Sequence, residues 1–157
     1  ADLFLMTKAE NPEACQSLES TLREIHPSAP IFHSHYEPAL LIRPDGKFEP
    51  LHLLKGTKVL ALSGIANPVY FSSLLRKCGM EVAGEMIFPD HHLYTAQDLT
   101  SILGKVKEAD WIVTTEKDMV KLKRLPLDPL PLLSLRIEMK IWEEEEFYKR
   151  VMKVFEL

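Results

Sequence analysis

The sequence contains few cysteines and no long apolar run, and both absences exclude classes of protein. Its two cysteines, Cys15 and Cys78, lack the spacing of a metal site and form at most one pair, so no disulfide framework is expected. No segment approaches the roughly 20 apolar residues that cross a bilayer, and the N-terminus lacks the basic start of a signal peptide. We therefore expect reduced thiols and a cytoplasmic setting.

An excess of basic residues is also lacking. The chain has 19 Lys and Arg against 23 Asp and Glu, a net charge of −4, which argues against a dedicated nucleic-acid binder. Its 157 residues, 46% of them hydrophobic, are enough for one domain with a real core. The chain begins with Ala directly in a strand-like run, so we expect it to be a fragment of a longer protein.

A phosphate-binding loop is the third absence. The segment GMEVAGEM, residues 79–86, has two glycines at the spacing of such a loop. However, Glu85 and Met86 stand where Lys and Ser or Thr are required. We therefore predict that this chain alone neither binds MgATP tightly nor transfers phosphate from it.

Strand-like and helix-like segments alternate along the chain. Strands are predicted at 3–7, 58–64, 81–88, 110–115 and 132–139, and helices at 10–25, 67–79, 95–109, 116–125 and 143–157. The apolar face of the first helix is assigned to Ala14, Leu18, Leu22 and Ile25, and that of the last to Phe147, Val151, Val154 and Phe155. This alternation predicts an α/β fold, a largely parallel sheet flanked by helices in a Rossmann-like three-layer arrangement.

The region between about residues 38 and 54 is punctuated by prolines. Two extended segments are predicted here, 29–38 and 39–51, and the second contains the turn signal Pro44-Asp45-Gly46. We therefore divide the chain into a strand–helix segment at 1–36, a two-stranded linker at 37–55 and a carboxy-terminal α/β domain at 56–157.

The segment FPDHHLYT, residues 88–95, places Asp90 beside His91 and His92 just after a predicted strand. Open α/β sheets bind ligands at this end of their strands. A metal site needs three or more converging ligands, and His33, His35 and His52 lie across the proposed boundary. Metal binding, a structural role, and proton transfer or positioning by one histidine therefore all remain open.

Two further segments have both a functional and a structural interpretation. SGIANP, residues 63–68, is a strand end followed by a helix start capped by Asn67, which suits an anion or serves only as a turn. In VTTEKDMVKLKR, residues 113–124, Thr115 and Asp118 predict a capped helix. The cations of that segment form either a solvated surface or a site for an anionic substrate: Lys117, Lys121, Lys123 and Arg124.

Three segments, SGIANPVYF, FPDHHLYT and VTTEKDMVKL, occur in an order and spacing typical of one family. By these motifs the chain resembles the carboxy-terminal half of the tetraacyldisaccharide 4'-kinases, the lipid A kinases of Gram-negative bacteria. The likeness covers most of the chain. ADLFLMTK, residues 1–8, is similar to a late strand of the family's core domain.

The resemblance implies a kinase at the cytoplasmic face of the inner membrane. It transfers the γ-phosphate of MgATP to the 4'-hydroxyl of tetraacyldisaccharide 1-phosphate in lipid A biosynthesis. In the family, a phosphate-loop domain comes first, a two-stranded linker follows, and a smaller α/β domain closes over the active site. ATP and Mg²⁺ would then be bound mainly by an amino-terminal half that is missing here, with 1–36 as the tail of that nucleotide-binding core domain.

The resemblance also implies roles for individual residues. His91 and Asp90 match a catalytic Asp-His motif, in which the histidine holds, or shares a proton with, a carboxylate of the missing half. The residues expected to bind substrate lie in the Thr-Glu-Lys-Asp segment and just after it: Glu116, Lys117, Asp118 and Lys121. The partners expected are the lipid A precursor, the membrane surface and the amino-terminal half, without nucleic acid and without metal-binding residues in this chain.

Two alternatives remain open on the residues alone. One is a non-catalytic α/β binding module whose histidines are structural. The other is an Asp-His-His metal phosphoesterase, although acidic metal motifs upstream of His91 are lacking in the sequence.

Overall fold

The computed structural model describes residues 1–128 and 130–153, with only the backbone for residues 12–14. In chain order the strands are β1 Phe4–Met6, β2 Ile31–Ile42, β3 Phe48–Glu49, β4 Lys58–Ser63, β5 Glu81–Ile87, β6 Trp111–Thr115 and β7 Leu132–Ile141. The α-helices are α1 Pro12–Ile25, α2 Pro68–Lys77, α3 Ala96–Lys105, α4 Glu116–Leu122 and α5 Glu144–Lys153. Among these described residues, no helix is both long and apolar enough to span a membrane.

The chain divides into two compact units. The smaller comprises residues 1–37 together with 138–157, and the larger comprises residues 38–137. The divisions fall after Glu37 and after Ile137, so that residues 138–153 belong with residues 1–37. The domain boundaries given above, 1–36, 37–55 and 56–157, stay predictions.

The larger unit is built on a mainly parallel sheet with the strand order β2–β7–β6–β4–β5. Strand β4 is parallel to both of its neighbours, with Val59 opposite Trp111 in β6 and Lys58 opposite Glu81 in β5. Strand β6 is parallel to β7. The carboxyl ends of these four strands therefore lie along one edge of the sheet, and the predicted largely parallel α/β fold is confirmed.

The core of the larger unit has two halves, one on each face of the sheet. Alternate residues of β4 enter different halves, Val59 and Ala61 one of them, Leu60 and Leu62 the other. Helix α2 covers the first face with Phe71, Leu74 and Leu75, and α3 and α4 cover the second with Ile102, Met119 and Leu122. Helices on both faces give the predicted three-layer arrangement.

The predicted hairpin is present at the start of this unit. Strand β2 pairs antiparallel with β3, Leu41 opposite Glu49. The turn between them closes where Gly46 donates its N–H to the Arg43 carbonyl at 2.9 Å, with Gly46 at a φ of 89°. A positive φ is easy for glycine alone, which explains the strength of the turn signal. The sequence had divided β2 into two extended segments, but the backbone runs through Pro38 as one strand.

The smaller unit pairs β1 parallel to the start of β2, with Met6 opposite His33. The apolar face assigned to α1 is wrong in two positions, because Leu18 and Ile25 are exposed; Leu22 packs against the small core around Met6 and Cys15 instead. The side chain of Ala14 lies outside the described part, so that assignment is not tested.

Helix α5 packs through the ring of Phe147. The ring of Phe147 meets Phe32 edge-on at 5.3 Å between centroids, as the predicted apolar face requires. Two other members of that face, Val154 and Phe155, lie outside the described residues.

Candidate active site at the carboxyl edge of the sheet

The loop that follows β5 carries the Asp-His-His segment to the carboxyl edge of the sheet. The N–H of Phe88 donates to the carbonyl of Ser63 at 2.8 Å, which fastens the start of this loop to the end of β4. The His92 N–H then closes a tight turn on the Pro89 carbonyl at 3.1 Å. Because β6 ends at the same edge, the first turn of α4 faces this loop.

An ion pair joins the loop to α4. The Lys117 Nζ lies 2.8 Å from Asp90 Oδ1, and the same oxygen accepts the N–H of His91 at 2.9 Å. The hydrogen bond from Lys117, supported by that from His91, holds the pKa of Asp90 below its usual range. The structure therefore keeps Asp90 ionised and paired with a cation from a different element.

His91 is held in an unusual backbone conformation and presents its ring to solvent. Its φ is 62°, in the left-handed region that non-glycine residues rarely occupy, and its side chain is 78% exposed. Its Nε2 lies 3.7 Å from Asp90 Oδ2, too far for a hydrogen bond. Such backbone strain, ~1 kcal/mol or more, persists where the surroundings impose it, and it often marks functional positions.

His92 is packed where His91 is free. Its Nε2 lies 3.0 Å from Asp98 Oδ2, and its ring stacks on Phe88 with 4.7 Å between centroids. Asp98 also completes a capping box with Thr95 at the start of α3. The hydrogen bond from His92 is the main reason that the pKa of Asp98 is lowered. His92 therefore stabilises the loop, and the two histidines have different environments.

Asp118 lies inside the domain rather than on its surface. Its side chain has no exposed area, and its Oδ2 accepts the Gly64 N–H at 2.9 Å and the Thr115 hydroxyl at 2.8 Å. Its Oδ1 lies 3.3 Å from Lys121 Nζ. Asp118 therefore joins Gly64, just after β4, to the first turn of α4, and the substrate-binding role given to it above stays a prediction.

Gly64 and Tyr94 complete this buried centre, and sequence reasoning missed both. A Cβ on Gly64 would lie 3.2 Å from each of three oxygens: Asp118 Oδ1, the Pro89 carbonyl and the Tyr94 hydroxyl. That hydroxyl is buried without a hydrogen-bond partner among the described residues. Burial, and then the nearby Asp118 carboxylate, raise the pKa of Tyr94 well above its usual range. Gly64 lies in the segment SGIANP and Tyr94 in FPDHHLYT, so two of the motifs that carry the family resemblance already contained them.

The remaining residues predicted to bind substrate differ in their accessibility. Glu116 is engaged by Arg136, whose Nε and Nη2 donate to Glu116 Oε1 at 3.1 and 2.9 Å. Lys121 is largely buried against Asp118. Of the two lysines predicted to contact substrate, only Lys117 therefore presents an accessible ammonium group, and it does so beside Asp90 and His91.

Among the described residues, no group of three or more His, Cys, Asp and Glu side chains is arranged to hold a metal ion. In the smaller unit, His33 pairs with Glu19 at 2.8 Å and His35 with Glu37 at 3.0 Å.

The predicted helix cap at Asn67 is present at the start of α2. The Asn67 side chain accepts the Tyr70 N–H at 3.0 Å.

The fold and this cluster define a class of protein: an α/β domain that presents polar and charged groups at the carboxyl edge of parallel strands, where enzymes of this architecture bind their ligands. The sequence identifies the class more narrowly. Residues 1–156 match the family described as Tetraacyldisaccharide-1-P 4'-kinase. The chain belongs to this family, which confirms the resemblance carried by the three motifs.

Individual relatives agree with this assignment. A Tetraacyldisaccharide 4'-kinase of Syntrophus aciditrophicus is 37% identical over 130 residues, which cover 81% of this chain and 35% of the relative. One of Anaeromyxobacter dehalogenans is 40% identical over 113 residues, 71% of this chain and 30% of the relative. The chain thus spans about a third of the length of these curated relatives.

A solved structure also matches. It is the crystal structure described as the "apo" form of LpxK from Aquifex aeolicus in complex with ATP. The TM-score is 0.57 and the identity 27%, and the match covers 85% of this chain and 40% of that one.

Proposed function

We propose that this chain is the carboxy-terminal part of a kinase that transfers the γ-phosphate of MgATP to the 4'-hydroxyl of tetraacyldisaccharide 1-phosphate in lipid A biosynthesis. Membership of the family supports the reaction. The chain covers about a third of the matched relatives, which supports the view that it is one part of a longer enzyme.

The observation that carries the proposal is the cluster of His91, Asp90 and Lys117. An exposed imidazole can donate or accept a hydrogen bond through its ring nitrogens, and it is therefore suited to holding, or exchanging a proton with, a carboxylate that deprotonates the sugar hydroxyl. Asp90 and Lys117 fix the loop that presents this imidazole, since their ion pair joins it to α4. The accessible ammonium of Lys117 is then available to an anionic acceptor.

ATP and Mg²⁺ are assigned mainly to the amino-terminal half. The Aquifex aeolicus protein was crystallised in complex with ATP, which supports ATP as the phosphate donor of this protein as well. The printed sequence lacks the Lys-Ser/Thr loop that would hold the β- and γ-phosphates. A Mg²⁺ ion bound there with the nucleotide would neutralise charge on the transferred phosphoryl group.

The remaining assignments follow from the acceptor. Because an acylated disaccharide resides in a membrane, the enzyme acts at the cytoplasmic face of the inner membrane as a peripheral protein. Residues 1–36 are proposed to be the tail of the nucleotide-binding core domain, 56–157 the carboxy-terminal domain, and the segment 37–55 that includes β3 the linker that allows closure.

The test is a phosphate-transfer assay on the full-length protein. With MgATP and tetraacyldisaccharide 1-phosphate, we expect the full-length protein to form the 4'-phosphorylated product, whereas residues 1–157 alone form none. A folded full-length protein that binds this acceptor without phosphorylating it would favour the non-catalytic binding module instead.

A further inference from the structure

An apolar cleft opens beside the start of α4. It has a volume of about 240 Å³ and lies between α2, the end of β7 and the first turn of α4. Its walls are almost wholly apolar: Ile65, Tyr70, Phe71, Leu74, Leu135 and Ile137. Thr115, Glu116 and Lys117 form its polar rim, so the cleft and the Asp90–Lys117 pair share one residue.

The polar groups of the rim are largely engaged within the domain. The Thr115 hydroxyl donates to Asp118, and the Glu116 carboxylate accepts from Arg136. A site for a nucleotide base or a sugar requires a few donors and acceptors directed into the pocket to read the polar edge of its ligand. The accessible charges of this rim are those of Glu116, paired with Arg136 at 2.9 Å, and of Lys117, paired with Asp90 at 2.8 Å.

A cleft of this composition suits an amphiphile. An aliphatic chain fills the walls, while Lys117, whose partner Asp90 is itself accessible, lies where an anionic or hydroxylated head would emerge. The volume is about eight times the ~30 Å³ of one water molecule in the liquid, which is room for part of one acyl chain and too little for several. The head of such a ligand would then lie at His91 and Asp90.

We propose that this cleft is a subsite for one acyl chain of the phosphorylated, acylated acceptor, and that Ile137 and Ile65 set how well that chain is held. The identity of the acceptor rests on the proposed function; the cleft and its chemistry do not. Chain binding here orients the headgroup, because the same element, the first turn of α4, provides both the cleft rim and Lys117.

The test compares acceptors that differ only in their acyl chains, in the full-length protein. Ile137→Ser places a hydroxyl at the cleft wall, and Leu103→Ser on α3 is the matched control, since the two side chains are 39% and 45% exposed. For the fully acylated acceptor we expect kcat/KM to fall about 4-fold or more in Ile137→Ser, the equivalent of one methylene withdrawn from apolar contact. The kcat/KM of Ile137→Ser for a deacylated acceptor should change less than twofold, and so should that of Leu103→Ser for the fully acylated acceptor. The KM for MgATP should also change less than twofold in both variants.

A second variant covers the case in which Ile137→Ser unfolds the domain. Ile137→Phe keeps the wall apolar but narrows the cleft, so it should shift preference toward acceptors with shorter chains. Equal losses for acylated and deacylated acceptors would overturn the proposal. A raised KM for MgATP with unchanged acceptor kinetics would overturn it as well and assign the cleft to the nucleotide.

A binding measurement separates this inference from the proposed function. Decyl phosphate should shift the methyl NMR signals of Ile65 and Ile137, and inorganic phosphate should not. If the protein lacks kinase activity but shows these shifts, the subsite stands and the proposed function fails. If kinase activity is present and decyl phosphate leaves both methyl groups unchanged, the subsite is wrong and the proposed function stands.

Discussion

The Lys117 ammonium lies 2.8 Å from the Asp90 carboxylate and joins the loop after β5 to the first turn of α4. The two residues are 27 positions apart in the sequence, and both are partly exposed. An accessible ion pair of this kind contributes little to stability, because water and salt screen it. The ion pair therefore acts mainly on geometry, because it fixes the position of Asp90, the residue before His91.

Replacing Lys117 by Met should separate position from stability. We expect Lys117→Met in the full-length protein to raise the KM for the acceptor and to leave the KM for MgATP within about twofold, because the lost charge faces the proposed acceptor. The free energy of unfolding should change little. Steady-state kinetics and urea unfolding measure both effects, and a raised KM for MgATP alone would contradict the assignment.

Lys123→Met is the control for general charge. Lys123 is exposed in the same basic segment but lies just after α4, at its C-cap. If the two variants lose acceptor affinity equally, the whole basic surface attracts the acceptor and Lys117 has no special position.

Gly64 should not tolerate a side chain. An added Cβ at Gly64 would lie 3.2 Å from three oxygens of the buried centre, so Gly64→Ala must displace Asp118, Tyr94 or the Pro89 carbonyl. We expect a loss of roughly 1–3 kcal/mol in the free energy of unfolding, the usual effect of overpacking. Urea unfolding monitors this loss.

Gly104→Ala is the matched control. Gly104 lies in α3, and a Cβ there would meet nothing within 4 Å. We expect Gly104→Ala to stabilise the protein by about 0.5–1 kcal/mol, because alanine loses less backbone entropy in a helix. Equal effects at the two glycines would show that the buried oxygens around Gly64 move without cost.

Removing the Asp118 carboxylate should destabilise the larger unit. Asp118→Ala leaves the Gly64 N–H unsatisfied and Lys121 without its buried partner, for which we expect a loss of about 2–4 kcal/mol. Asp118→Asn keeps one acceptor and should lose less. A double-mutant cycle with Lys121→Met measures the pair, and the coupling energy should be positive and clearly above experimental error.

Features that depend on neighbouring residues could be predicted from the sequence, and features that depend on residues far apart in the sequence could not. The cap that Thr115 forms with Asp118 at the start of α4 and the turn at Gly46 were predicted because their chemistry is complete within four residues. The burial of Asp118 depends on the Gly64 N–H, 54 residues away, so a local pattern treated that carboxylate as a surface group.

The same reason explains the errors in α1. Leu18 follows the helical period, but which residues of that period are covered depends on the few apolar partners outside α1 that the smaller unit offers, Met6 and Ile31 among them. The left-handed backbone of His91 was also not predicted, because the loop that contains it is attached through Phe88 to Ser63 and through Asp90 to Lys117, both distant in the sequence.

The interaction of His92 with Asp98 predicts a pH dependence. The pKa of Asp98 is lowered in the folded protein, so the stability it contributes is present above the ordinary aspartate pKa of about 4 and is lost as pH falls through the lower, folded value. Asp98→Asn should therefore cost roughly 1–2 kcal/mol near neutral pH, the usual effect of losing a cap. The difference from the native protein should shrink between about pH 5 and pH 2.

Urea unfolding at several pH values measures this difference. Asp2→Asn serves as control, because Asp2 is exposed near the N-terminus. A stability difference for Asp98→Asn that stays constant down to pH 2 would mean that the charge of Asp98 is not what His92 and the capping box stabilise.

The last prediction separates the function of His91 from its effect on stability. Its left-handed backbone, with a φ of 62°, is strained for histidine and unstrained for glycine, so His91→Gly should keep or raise the free energy of unfolding, by up to about 1 kcal/mol. If the exposed ring exchanges a proton with the catalytic carboxylate, the same variant should lower kcat by roughly 10²–10⁴. His92→Ala should do the reverse, because it loses the Asp98 hydrogen bond and the stack on Phe88 while leaving the exposed ring in place. Kinetics and unfolding on the full-length protein measure all four values, and a kcat for His91→Gly close to that of the native enzyme would return His91 to a purely structural role.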